Sequence, residues 1–271
     1  MRKMHNIYEC FPGGKNKVLT MSYDDGRIYD RKLVSIFNRY GIRGTFHLNS
    51  GFLDDDSHVS SKEVKTLYKG HEVSCHTVTH PTIARSPLEQ VTKQVLQDRE
   101  ALEDLVGYPV RGLSYPNGSF SADIKALLPA LGIRYARVTG STDQFGIPED
   151  FLEWKATCHH THQLMEDGKA FTELYKPQYL YMMYVWGHSY EFNDADNWDL
   201  MENFCRLVGG HDDTWYATNI EIVDYLHLCR DLQFSAKGDF VFNPGAASAF
   251  LSVDGKFVEI PGGKLVRLYE D

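Results

Sequence analysis

Short apolar runs alternate with amphipathic stretches along most of the chain. KVLTMSY (17–23) has the length and composition of a buried strand. In YDRKLVSIFNRYG, which follows it, apolar residues recur at helical spacing up to Gly41. The unit then repeats: IRGTFHLN (42–49) predicts a strand, 61–69 a short helix, and HEVSCH (71–76) another strand. SPLEQVTKQVLQDREALEDLV predicts the clearest helix. Leu88, Val91, Val95, Leu102 and Leu105 or Val106 lie on one of its faces, Ser86 is its cap, Pro87 stands in its first turn and Glu89 closes a capping box. RGLSYP (111–116), IRYARVT (133–139) and YLYMMYVWG (179–187) predict further buried strands. Helices over 121–131, 196–208 and 219–230 sit among them, the last presenting Ile222, Tyr225, Leu226 and Cys229 on one face.

Strand–helix alternation on this scale means a parallel sheet, open or closed. About seven repeats favour an α/β fold of the distorted (β/α) barrel type, in which the C-terminal ends of the strands carry the chemistry. The tail differs: FLSVDGKFVEIPGGKLVRLY (250–269) has Asp254-Gly255 between two alternating runs, a hairpin signal. Residues 1–235 are therefore read as the barrel and 236–271 as a small antiparallel β appendage packed on it.

Composition narrows the partners. The net charge is −9 with no basic block, which argues against nucleic acid and against an anionic membrane surface. Five scattered cysteines with no CxxC argue against a disulfide framework. The basic N-terminus is followed by no apolar segment, and no stretch has the length of a membrane span. These features point to a soluble cytoplasmic protein. The chain's 16 Tyr, 15 Phe and 4 Trp serve a core first and sugar stacking second.

Two motifs stand at predicted strand ends. MSYDDGRIYD (21–30) sets Asp24 and Asp25 side by side, where two like charges repel by roughly 1 kcal/mol even in bulk water. A solvated turn would make the pair harmless; a bound cation would make it useful. CHTVTHP (75–81) places His76 and His80 four residues apart, so that on a helical turn both imidazoles face one ion. Together they supply one carboxylate and two imidazoles at neighbouring strand ends, a three-ligand hydrolytic metal site with an open position. The second aspartate is left over as a base.

SYDDG resembles the TFDDG motif, and HTVTHP the H(S/T)xxHP motif, of the NodB-homology polysaccharide deacetylases, carbohydrate esterase family 4. SYPNG (114–118) stands where that family carries an RPPYG-type motif, and VWGHSYEF (185–192) where its late strand ends in a catalytic histidine. The resemblance covers roughly residues 15–230. It implies a distorted barrel and metal-dependent removal of N-acyl groups from amino sugars. Carried over by position, it makes Asp24 the general base, and Asp25, His76 and His80 the ligands of one divalent ion: zinc first, with cobalt, nickel or manganese as alternatives. His188 becomes the general acid, and the backbone N–H of Asn117 part of an oxyanion hole. Tyr115, Pro116, Trp186 and Arg137 are the candidate substrate contacts.

The chain also departs from the family. Ser114 replaces an arginine that orients the catalytic aspartate, and Arg137 is the candidate substitute. The family's fourth motif has only loose echoes, around Asp143 and Trp154. CHHTHQ (158–163) is the densest histidine cluster but lacks a carboxylate at a strand end, so a substrate-facing histidine is preferred there to a second metal. GHDDTW (210–215) reads as a capped or solvated turn, and Cys75 as a buried small residue. The resulting expectation is a deacetylase of N-acetylated amino-sugar mono- or oligosaccharides. The alternatives are a metal-dependent amidohydrolase of a small non-sugar amide (N-formyl or cyclic), and a non-catalytic carbohydrate-binding relative.

Overall fold

The computed structural model describes residues 4–270. The basic residues at positions 2 and 3, on which the N-terminal reading partly rests, lie outside the described residues, as does the last residue of the tail. Strand β1 (Ile7–Cys10) is followed by β2 (Lys17–Asp25), helix α1 (Asp30–Arg39), β3 (Gly44–Leu48), α2 (Ser61–Leu67), β4 (Glu72–Cys75), α3 (Leu88–Val106) and β5 (Gly112–Ser114). The chain continues through α4 (Ala122–Leu127), β6 (Tyr135–Ser141), β7 (Trp154–Ala156), β8 (Cys158–His159), α5 (Leu164–Glu173), β9 (Tyr181–His188), α6 (Ser189–Asp194) and α7 (Trp198–Val208). It ends with β10 (Thr214–Tyr216), α8 (Asn219–Arg230) and the strands β11 (Gln233–Phe234), β12 (Phe240–Phe242), β13 (Ala249–Val253), β14 (Lys256–Ile260) and β15 (Leu265–Arg267).

The main sheet runs β7-β6-β5-β4-β3-β2-β9-β8, all parallel, with β10 also pairing to β2. This is the α/β architecture the alternation predicts, but its ladder path is open at both ends. The two terminal strands are consecutive in sequence, separated by Thr157 alone. The Thr157 N–H donates to the Tyr184 carbonyl on the β9 side, and its own carbonyl accepts from Thr142 and Asp143 on the β6 side. One short segment, 154–159, thus touches both ends of a strongly curled sheet, in place of a full-length closing strand.

Strand periodicity sorts the residues into two faces. Leu19, Met21 and Tyr23 of β2, Phe46 and Leu48 of β3, Val73 and Cys75 of β4, Leu113, Ala136 and Val138 face outward into the helix-covered core. The opposite parity points inward and is largely polar: Thr20, Ser22, Thr45, His47, Glu72, Ser74, Ser114, Tyr135 and Arg137 are all buried. They bond across strands, as from Tyr135 to Glu72 and Ser22 to His47, and to the start of α8, as from Thr20 to Asn219. Both faces are covered, so the strands look continuously buried in sequence.

Some local readings change. The long helix begins at Leu88 after an extended Pro87 (ψ 147°), and no side-chain cap bond forms there. The expected Ser86 cap and Glu89 capping box are absent because Ser86 and Pro87 are still in extended backbone. Leu88 is 41% exposed, while Asp98 is fully buried on the helix face that holds Val91, Val95, Leu102 and Val106. In the tail, Asp254 (φ 49°) and Gly255 (φ 81°) turn β13 into β14. β1 pairs with β13, so the N-terminal strand joins the antiparallel sheet of the tail. β11, β12 and β15 form a second small sheet. Asp213, read as part of a solvated turn, pairs with the buried Lys17, and the residues after it form β10.

Glu72 yields a stability prediction. Its carboxylate accepts from Thr45, Tyr135 and the Ile220 N–H at the start of α8, but burial dominates and pushes its pKa up to about 7. The folded state then holds a proton that the unfolded chain releases near the ordinary glutamate value. This stabilisation is complete at low pH and is lost as pH rises through about 7. Between pH 5.5 and 8 the wild type is expected to lose about 2 kcal/mol relative to Glu72→Gln in urea unfolding. Parallel pH profiles for the two proteins would overturn this assignment.

Candidate active site

The inward column of side chains ends, at the C-terminal rim of the sheet, in Asp24, His76, Ser114, Arg137 and His188. Ladder register accounts for their proximity: Asp24 stands opposite His47 on one side and His188 on the other, and Ser114 opposite Arg137. Two successive strand residues should point to opposite faces. Asp25 escapes that rule because it is the last residue of β2 and adopts a left-handed backbone, φ 78°, with Gly26 continuing the turn at φ 68°. A side chain at Gly26 would also meet Leu48 Cδ2 at 2.8 Å. The turn brings both adjacent carboxylates to one site.

His76 and His80 meet differently from the expected helical turn. Residues 77–80 form an irregular loop with Thr77 at φ 67° and His80 at φ 53°, and the two imidazoles lie 4.7 Å apart in edge contact. The loop is pinned from below. The Asn49 amide donates to the carbonyls of His76 and Thr77, Asp98 accepts from the N–H groups of Ser50 and His76, and Gln94 accepts from Thr79. Asp98 and Asn49 were not legible as site-forming residues. A carboxylate on the apolar face of a helix was the only sign.

Asp25 Oδ1 lies 3.6 Å from His76 Nε2 and 3.9 Å from His80 Nε2. Donors 2.0–2.1 Å from a tetrahedral zinc ion stand about 3.4 Å apart, so the trio is slightly wider than a loaded site. The tautomer suits a ligand. His76 Nδ1 donates to the Ser114 carbonyl at 2.8 Å, which leaves Nε2 with its lone pair free. Burial also lowers the His76 pKa, against the pull of Asp24 and Asp25, and this favours the neutral imidazole that binds metal. Two imidazoles and a carboxylate fit a divalent transition ion.

Asp24 is buried. Its Oδ2 accepts from the Arg137 guanidinium and, at 3.0 Å, from the Ser114 hydroxyl, which in turn accepts from Arg137. Its Oδ1 has no hydrogen-bond partner. Burial alone would raise the carboxyl pKa; Arg137, with His76 and His47, outweighs burial and holds it well below the ordinary carboxylate range. The guanidinium therefore reaches Asp24 from β6, and the small Ser114 on β5 leaves it room. The Arg137 guanidinium also stacks on Trp186, 4.2 Å from the ring centroid.

His188 is oriented by a residue the sequence reading missed. Glu191, in the first turn of α6, accepts from the His188 backbone N–H at 2.9 Å, and its Oε2 lies 3.2 Å from Nδ1. A carboxylate only accepts, so Nδ1 carries the hydrogen and Nε2 is the free nitrogen. Burial disfavours the imidazolium, but Glu191 and the charges of Asp24 and Asp25 overcome it and raise the pKa. The spacing H-x-x-E between a strand and a helix was the available signal.

The expected substrate contacts are placed differently. Tyr115 is 1% exposed, stacks on Phe120 and donates to the Leu152 carbonyl. Pro116 is buried and Arg137 is 1% exposed, so in this structure the three support the site from beneath. Trp186 is nearly buried against Arg137. Asn117, at φ 56°, lies in the turn after β5 with its side chain near Thr82. Trp154 is core, packed on Tyr135 and Tyr184, and Asp143 pairs with His162. Cys75 is buried, and burial pushes its thiol pKa well up, which leaves it unreactive.

Comparison with known proteins shows what the sequence and the fold are similar to. Residues 12–136 match the family model described as polysaccharide deacetylase. The match takes in somewhat less than half of the chain, and that part is similar to this family. A peptidoglycan-N-acetylglucosamine deacetylase from Bacillus cereus is 26% identical over 113 residues, 40% of this chain and 40% of that protein. The chain spans less than half the length of the curated relatives it matches. Among solved structures, a putative polysaccharide deacetylase from Mycobacterium smegmatis superposes with TM-score 0.62 at 15% identity, over 82% of this chain and 94% of that one. A pseudoenzyme of the CE4 family from Bacillus anthracis superposes with TM-score 0.51 at 14% identity, over 80% of this chain and 68% of that one. These two likenesses concern the fold. The family-model match includes the two aspartates and both histidines of the trio and stops before His188 and Glu191. Among the described residues no helix is long and apolar enough to cross a membrane.

Proposed function

We propose that this protein is a metal-dependent hydrolase that removes N-acetyl groups from amino-sugar mono- or oligosaccharides. The observation that carries the reading is the division of labour at the end of β2. Asp24 Oδ2 is tied to Arg137 and Ser114 while Oδ1 is left bare, beside a ligand trio made by Asp25, His76 and His80. Such a carboxylate stays ionised and has one oxygen free to take a proton.

Asp25, His76 and His80 would hold the ion, zinc by preference for this donor set. When bound, it supplies Lewis-acid polarisation of the acyl carbonyl. The residues of the chain do the rest. Asp24 Oδ1 takes the proton of the attacking water as the new C–O bond forms. The Asn117 N–H lies in the turn beside this rim and is assigned to the developing oxyanion. His188, with Nδ1 held by Glu191, delivers a proton from Nε2 to the amine nitrogen as the C–N bond breaks. Acetate and a free amino sugar leave, and the proton held on Asp24 restores His188 through solvent.

The test is acetate release from N-acetylglucosamine and its oligosaccharides, before chelation, after it, and after zinc or cobalt is returned. Release that disappears with chelator and returns with metal is the expected result. A metal-loaded protein that releases acetate from none of these sugars, but formate or a ring-opened product from a small amide, would replace the sugar reading by the amidohydrolase one. Sugar binding with no turnover would make it a binding module, in line with the pseudoenzyme that shares its fold.

A further inference from the structure

The CHHTHQ histidines have no carboxylate partner in their own stretch of sequence. The fold provides one. Glu191 reaches back from α6 and places Oε2 3.3 Å from His159 Nε2 and 3.4 Å from His160 Nε2. All three donor atoms lie within 4.8 Å of one another. These separations equal the about 3.4 Å edge of a tetrahedron with donors 2.0–2.1 Å from its centre, closer than those of the trio at Asp25.

A second observation concerns His160. Its side chain is 1% exposed, yet neither ring nitrogen has a hydrogen-bond partner. A buried imidazole with no such partner is costly unless something binds it. The ring is fixed rather than free to find one, since it stacks on Phe192 at 4.1 Å and on Tyr23 at 5.7 Å. Gly187 is the residue that admits it: a Cβ there would stand 2.0 Å from His160 Nδ1. His159 is held in turn: its Nδ1 lies 2.8 Å from the Thr161 hydroxyl and accepts from the Thr161 N–H at 3.3 Å, which fixes the ring with Nε2 turned toward Glu191. Two of the three donors therefore have fixed rings, and the site keeps an outlet to solvent, because His159 and Glu191 are only partly buried.

We propose that His159, His160 and Glu191 form a second divalent transition-metal site, distinct from the trio at Asp25. Two imidazoles and one carboxylate select a zinc-like ion over calcium or magnesium, which take oxygen donors. Glu191 Oε2 would then face the ion on one side and His188 Nδ1, 3.2 Å away, on the other. The proposal rests on these three residues alone and stands whether or not the reaction assigned to the Asp25 site is right.

The test is zinc stoichiometry by equilibrium dialysis, together with the visible absorption of the cobalt-loaded protein. The wild type is expected to hold two equivalents, Asp25→Asn/His80→Ala one, and that variant with His159→Gln added none, with binding at the second site more than about 100-fold weaker. The remaining equivalent in Asp25→Asn/His80→Ala should keep a tetrahedral cobalt spectrum. His159 is the position to change first because it is partly exposed, and Glu191→Gln provides an independent second variant; circular dichroism checks that each is folded. No metal in Asp25→Asn/His80→Ala, or one equivalent that survives both His159→Gln and Glu191→Gln, would overturn the proposal. If Asp25→Asn/His80→Ala binds as much metal as the wild type while His159→Gln alone binds less, the first site fails and the second stands.

Discussion

Replacing Arg137 with methionine is expected to lower unfolding stability by roughly 3–5 kcal/mol and to bring deacetylation down to background. The reason is local. Asp24 is buried, its Oδ2 is neutralised chiefly by the Arg137 guanidinium, and when that is removed the Ser114 hydroxyl is the hydrogen bond left, with His76 Nε2 3.7 Å away. An unpaired buried charge either protonates or destabilises the fold, and in either case the base is lost. The double variant Asp24→Asn/Arg137→Met separates the two effects. Removing both partners of a buried pair is often close to neutral, so stability should return while activity stays lost. Urea unfolding of both variants beside the acetate assay is the measurement. A single Arg137→Met protein as stable as the wild type would show that the guanidinium does not carry the Asp24 charge.

The second large effect is expected at His80. Substitution by alanine leaves Asp25 and His76 as two donors, too few for a structural or catalytic zinc site. Bound metal should fall by one equivalent and acetate release to background. Fold stability should change little, because His80 is partly exposed in the loop after β4 and its ring touches chiefly His76. Metal analysis, turnover and thermal unfolding of the same preparation decide the matter. Unchanged metal content with full turnover would remove His80 from the site.

Much of this site was legible because its parts obey local rules. A carboxylate pair at the end of a buried strand and an H-x-x-x-H pair after another strand both follow directly from reading the chain. What reading misjudged was the geometry between them. The HxxxH pair converges through a left-handed loop held by Asn49 and Asp98, not through a helical turn. Tyr115 and Pro116, expected as substrate contacts, are buried instead, and Tyr115 packs on Phe120 and donates to the Leu152 carbonyl.

The sequence by itself determined the order of the principal strands and helices, the placement of Asp24 and His76 at the ends of buried strands, and the hairpin at Asp254-Gly255. These follow from backbone periodicity and turn chemistry, which act over a few residues. Only the tertiary structure decided which guanidinium meets Asp24, because Ser114 and Arg137 become neighbours solely through the register of β5 on β6. The same holds for the 154–159 segment that touches both ends of the sheet, and for Glu191, whose carboxylate meets His159 and His160 across about thirty residues of chain. Those pairings depend on how strands stack and where a helix begins, and such distances are set by packing rather than by spacing along the chain.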